Sequence, residues 1–204
     1  MKIIRIIMGI LTCMAVCASG SFAQGDNKTM MDILTSTMWK MEMLKPGKGD
    51  DGSYSKYEKD KVIRYSITEE AGYPASYQTL RYYFSDEIEQ TFDIQKIGKS
   101  TSGKYLIKEG REYTDEQIEA RLIEVMKSDG ERRVIAGTRT EQMKQGEEHL
   151  KMLDEKYGSG KLVPIVFEII SLNEKELILK RVPVSSELII GSGPATYRPY
   201  KGKL

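Results

Sequence analysis

The sequence predicts a mainly β protein: an antiparallel barrel carrying a helical insertion, preceded by an N-terminal leader. Three observations lead there. Short runs in which apolar side chains alternate with polar ones recur between residues 39 and 107 and again between 165 and 181, and a period of two marks strands with one covered face. Between those blocks, residues 114–158 switch to helical spacing with capping residues. Each alternating run also leaves an apolar face to be covered. A sheet that curls on itself covers that face and removes its own edges.

The chain opens with Lys2 and Arg5, then an apolar stretch from Ile6 to Val16, then Ser21-Phe22-Ala23. A basic start, a short apolar core and small residues before the cut make a secretory signal peptide over 1–23, too short for a membrane span. Residues 24–204 form the single mature domain, placed in the periplasm or outside the cell. Losing Lys2 and Arg5 takes the formal charge from +1 to −1, a balance that gives no electrostatic footprint for nucleic acid or an anionic membrane. No later apolar run approaches the length of a transmembrane helix. Both cysteines, Cys13 and Cys17, lie inside the leader, so the mature domain has no disulfide and no Cys-ligated metal. Lipid anchoring through Cys17 is the weaker alternative, because Val16 stands where a lipobox has a small residue.

The elements follow in order. Trp39, Met41 and Met43 share one face of the first strand, which Pro46-Gly47 and Gly49-Asp50-Asp51-Gly52 end with turn chemistry. Ile63, Tyr65 and Ile67 alternate in the next, and Leu80, Tyr82 and Phe84 in the one after. Ile88, Phe92 and Ile94 suggest a further strand, and Lys104–Ile107 a short one beyond the polar turn 98–103. Thr114 with Gln117 forms a capping box before Ile118, Leu122, Val125 and Met126 at helical spacing, although 115–127 also permits a strand. Asp129-Gly130 ends that helix, and Val134–Ala136 is a short β-like run. Thr138 and Glu141 cap a second helix with Met143, Leu150, Leu153 and Tyr157 on one face and Gly158 as its stop. Ile165, Phe167 and Ile169, then Leu177, Leu179 and Arg181, alternate on either side of Asn173-Glu174 and read as a hairpin. Residues 191–204 read as an irregular tail.

Several of these strings resemble secreted bacterial lipocalin-like (calycin-like) domains. They are Arg81-Tyr82-Tyr83-Phe84-Ser85-Asp86, Thr91-Phe92-Asp93, Ile97-Gly98-Lys99, Gly103-Lys104-Tyr105-Leu106-Ile107 and the closing hairpin around Phe167–Leu172 and Leu177–Leu179. The resemblance covers roughly 30–107 and 160–184 and leaves the helical stretch out. It implies a lipocalin-like barrel in which Trp39, the one tryptophan, closes the floor and a late-strand arginine, Arg181, packs over it as a cation on an aromatic face. Thr37 stands where the wider family has glycine, and the family's Thr-Asp-Tyr motif is absent.

The chemistry-bearing residues are sparse. His149 is the one histidine and sits beside Glu147 and Glu148; alone it supports neither a metal site nor a nucleophile–base pair. Gly98-Lys99-Ser100 lacks the upstream glycine of a phosphate loop, with Asp93 in its place. The acidic runs at Glu69-Glu70, Asp86-Glu87 with Glu89, and Glu147-Glu148 read as solvated faces, and Asp93 as exposed. The expectation is therefore a non-catalytic protein with no cofactor and no metal. Trp39, Met41, Tyr65, Tyr82 and Phe167 are the candidate ligand residues, since Met adapts to irregular apolar shapes and Tyr pairs an apolar body with a polar tip. They either line a space for a small hydrophobic or amphipathic ligand or fill it. The alternative function is a cell-envelope interaction protein that docks a partner through its surface, by the helix face at 139–157 or the tyrosines at 197–200.

Overall fold

The computed structural model describes residues 28–43, 52–67, 76–131, 139–184 and 193–202; residues 1–23, Glu69-Glu70 and the run at Val134–Ala136 lie outside them. Eight antiparallel strands close into a barrel in sequence order: β1 Met38–Met41, β2 Gly52–Tyr57, β3 Lys61–Ile67, β4 Ser76–Ser85, β5 Tyr105–Glu112, β6 Lys161–Asn173, β7 Glu176–Val182 and β8 Ala195–Tyr200. The seam is β8 on β1, with Met38 opposite Tyr200 and Met41 opposite Tyr197. The mainly β barrel with a helical insertion is thus the architecture the alternation predicted.

Strands joined in sequence order put alternate connections at opposite ends. One end holds the β2–β3 turn, the β4–β5 loop and the β6–β7 turn. It is closed by the short helix α1, Met30–Thr35, which contacts β6 and β2. Thr29 and Asp32 start α1 with a reciprocal capping box, satisfying two backbone donors that a helix end leaves open. The opposite end holds the long connections, including the insertion between β5 and β6.

Leu34, Trp39, Val62, Tyr82, Phe84, Leu106, Leu172, Leu177 and Leu179 are buried together inside the barrel. Burying a side chain of this size contributes about 1.5–3 kcal/mol over leaving it exposed. A register shift between Ile169 and Ser171 explains why both Ile169 and Leu172 face inward. The bulge turns Ile170 out into solvent and resets the alternation. A second cluster, Tyr83, Phe92, Ile107 and Val166, lies on the outer face.

The segment read as a strand over 88–94 is a loop ending in a short 3₁₀ helix, Ile94–Lys96. Its alternation breaks down in three dimensions: Phe92 is buried against Tyr83, while Ile88 and Ile94 are exposed. The stretch 195–200, expected to be irregular, is β8, because its backbone completes the ladder between β7 and β1. β2 was hidden by its composition, Gly-Ser-Tyr-Ser-Lys-Tyr, which follows turn residues directly and carries small polar side chains inward.

The insertion is two helices, α2 Asp115–Glu131 and α3 Arg139–Tyr157, so 115–127 is helix, and α2 runs through Asp129-Gly130. The Thr114–Gln117 capping box is formed in both directions, at 3.0 and 3.3 Å. Gly158, at φ 86°, takes the left-handed turn that stops α3. Arg121 binds the pair together: it lies 4.4 Å from the Tyr113 ring and donates to Asp154 at 2.7 Å and the Gly158 carbonyl at 2.9 Å. α3 rests on β4 and buries Leu153. Ile118, Leu122, Ile123 and Met126 of α2 remain exposed. No helix among the described residues is long and apolar enough to cross a membrane.

Candidate ligand site inside the barrel

The interior carries a polar cluster above its apolar floor. On β5, Leu106 faces in, so alternation turns Lys108 and then Gly110 inward as well. Lys108 is buried and donates from Nζ to the Tyr57 hydroxyl at 2.7 Å. Its ammonium also lies 4.9 Å from the centre of the Phe167 ring, close enough for cation–π attraction. Burial pushes this ammonium down to about 7, and the Arg64 guanidinium pushes the same way.

The neighbours respond in kind. Burial, followed by Tyr197 and Tyr82, drives the Tyr57 hydroxyl well above the ordinary tyrosine range, with Arg64 opposing. Tyr197 is raised by burial against the pull of Arg64. Tyr82 is raised by burial and by Asp60, and its hydroxyl donates to the Glu58 carbonyl at 2.6 Å. Arg64 reaches this cluster by register: Val62 faces in opposite Tyr57, and Arg64 is two residues further along β3.

Exposure of the inward-facing side chains rises along the barrel. Near α1, Leu34 and Trp39 are wholly buried. Further up, Met41, Ile165 and Tyr197 are half-buried. Toward the far end Arg64, Ser66 and Arg181, on the inward alternation, are exposed. There Gly110, Val163, Ile165 and Arg181 border a cleft of about 300 Å³ that runs over the rim to Val166, Val182 and Val184 of the outer-face cluster.

Of the residues expected to meet a ligand, Trp39, Met41, Tyr82 and Phe167 face the interior. Trp39 and Tyr82 are part of the sealed floor, and Met41 and Phe167 stand above it. Tyr65 does not join them. It pairs with Tyr54 on the outer face, because Val62 and Arg64 hold the inward positions of β3. Trp39 does close the floor, but not under Arg181. Its indole N–H donates to the Leu34 carbonyl at 2.9 Å, and among the described residues no cation lies over its ring. Register explains this: Trp39 is opposite Pro199, on the α1 side of Tyr197, whereas Arg181 is four residues beyond Leu177, the partner of Tyr197, in the other direction.

The acidic side chains serve local roles. Asp86 accepts from the Lys104 backbone, Glu89 from Ser85 and Lys96, and half-buried Asp93 from the Gln95 backbone. Glu147 and Glu148 are exposed on α3, and His149 is half-buried there. On the outer face Glu109 accepts from Arg81 and Arg111, both at 2.6 Å. Burial would raise its carboxyl; the two guanidinium groups outweigh that and hold it low. Among the described residues no group of three His, Cys, Asp or Glu is placed to hold a metal.

Sequence reasoning missed Lys108 because the strand was ended at Ile107. The signal was there: carried on by alternation, Leu106 leads to a lysine and then a glycine on the covered face.

No family model, no curated protein and no solved structure matches this chain.

Proposed function

We propose that this is a secreted, non-catalytic, lipocalin-like carrier that holds one small apolar or amphipathic molecule in its barrel. The molecule enters at the end opposite α1. The observation that carries this reading is the gradient of exposure among inward-facing residues. A barrel packed solid would bury Met41, Val163 and Ile165 as fully as it buries Trp39, and would not turn Arg64 inward. Residues 1–23 supply the export signal, and the periplasm or the exterior is the compartment. Native mass spectrometry of the protein purified from its own envelope fraction, followed by denaturing extraction, tests the proposal. A retained small molecule supports it. A clean apo mass that persists after exposure to a panel of amphiphiles overturns it.

One observation favours a surface docking role instead. Ile118, Leu122, Ile123 and Met126 leave an apolar face of α2 in solvent, and such faces mark interaction sites when large. Self-association that is abolished by polar substitution at Leu122 and Met126 would support it.

A further inference from the structure

We propose that Lys108, Tyr57 and Arg64 form the seat for the anionic headgroup, a carboxylate, of an amphiphile whose apolar chain runs toward the open end. This rests on the carrier reading and names the ligand class. Two cationic side chains, Arg64 and Lys108, occupy the inward alternation of β3 and β5. Among the described strands no carboxylate lies on the inward alternation beside them. Glu42, Glu109, Glu168 and Glu176 fall on the outward alternation of their strands or just beyond them. The one acidic residue on the inward alternation of the described strands, Glu112, ends β5 opposite Lys161, roughly 13 Å along the strand from Lys108.

A buried ammonium without a carboxylate is costly unless something else completes its charge. The Tyr57 hydroxyl accepts a hydrogen bond from Lys108 at 2.7 Å, and the Phe167 ring covers another side. An entering carboxylate would accept from the remaining protons, with Arg64, whose charge already acts on Lys108, supplying a second charged donor. The floor beneath is closed by Leu106, Tyr82 and Trp39. The apolar part of the ligand therefore extends past Ile165 and Met41, which are half-buried and on the open side.

Proton uptake follows from the same arrangement. The titratable and charged groups facing Lys108 are Tyr57 on β2, Arg64 on β3, Tyr82 on β4 and Tyr197 on β8. None is an acid ionised near neutral pH, so a bound carboxylate would be the group that pulls a proton onto Lys108.

The test is calorimetric titration of the delipidated full-length mature protein with laurate, 1-dodecanol and dodecylamine below their aggregation limits. Charge-assisted hydrogen bonds predict laurate binding about 10- to 100-fold tighter than dodecanol, and dodecylamine weakest. Lys108→Met and Arg64→Gln should each weaken laurate far more than dodecanol, removing most of that preference. At pH 8, buffers of differing ionisation enthalpy should show proton uptake with laurate in the wild type and none in Lys108→Met. Equal binding of laurate and dodecanol overturns the headgroup assignment and leaves the carrier reading standing. No binding of any of the three overturns both. Should Lys108→Met not fold, the exposed Arg64→Gln decides the matter, and retained laurate preference in it overturns the assignment.

Discussion

Replacing Lys108 by methionine should stabilise this protein at neutral pH and flatten its stability profile above it. In the folded chain burial holds the ammonium near 7, against about 10.4 for a free lysine. The unfolded state therefore binds more protons than the native state between those values, and stability rises with pH across that window. A tenfold difference in proton affinity between the two states corresponds to about 1.4 kcal/mol. The penalty on the folded state is complete below pH 7, at about 5 kcal/mol, and is about 4 kcal/mol at pH 7 itself. Between pH 7 and 9.5 the wild type should gain about 3 kcal/mol. Methionine has a similar length and no charge. The substitution loses the bond to Tyr57, worth about 1 kcal/mol, and removes the penalty, for a net gain of about 3 kcal/mol at pH 7. Urea unfolding at half-unit steps from pH 6 to 9.5 measures both curves. Above that range Tyr57, Tyr82 and Tyr197 work the other way, since their hydroxyls ionise more readily once unfolded. A wild-type profile flat from pH 7 to 9.5, or a variant that follows the wild-type slope, would refute the reasoning.

Three further substitutions test the architecture. Trp39→Ala should cost about 3–5 kcal/mol in denaturant unfolding, since a wholly buried indole bonded to Leu34 is lost from the floor; a loss under about 1 kcal/mol would mean the floor is held by something else. Gly110→Ala should cost about 1–3 kcal/mol, because a Cβ there would sit 2.7 Å from Ile165 Cγ1 and 3.0 Å from the Val163 carbonyl oxygen; an unchanged midpoint would show that β6 yields easily. Glu109→Gln should cost about 1–2 kcal/mol at pH 7. The Glu109 carboxyl is held low in the folded state, so its contribution is present above the unfolded carboxyl value near 4.3 and lost as pH falls below it. The variant and wild type should therefore converge in acid; a gap that persists at pH 3 would count against the ion pair.

The alternation of apolar residues was enough to determine the architecture. A strand's side chains point to opposite faces by covalent geometry, and Leu80-Tyr82-Phe84 or Leu177-Leu179 declare their buried side without help from partners. The end of the second helix was equally legible, because Gly158 acts within a turn of its own backbone, whereas 115–127 stayed open between helix and strand until the structure showed α2. What the sequence by itself left open was which face of an alternating run becomes the inside. Ile63-Tyr65-Ile67 is the more apolar set of β3, yet Val62 and Arg64 face in, because the pairing of Val62 with Tyr57 and Leu80 sets the phase of the whole strand. The same holds for 195–200 and for β2, whose strands exist because neighbours offer open backbone donors and acceptors, a property of the closed ladder and not of their own residues. Lys108 belongs to that second class. Alternation puts it on the covered face, but only closure of eight strands brings Tyr57, Phe167 and Arg64 around it from three others, and that convergence makes a lysine in a strand into a candidate site.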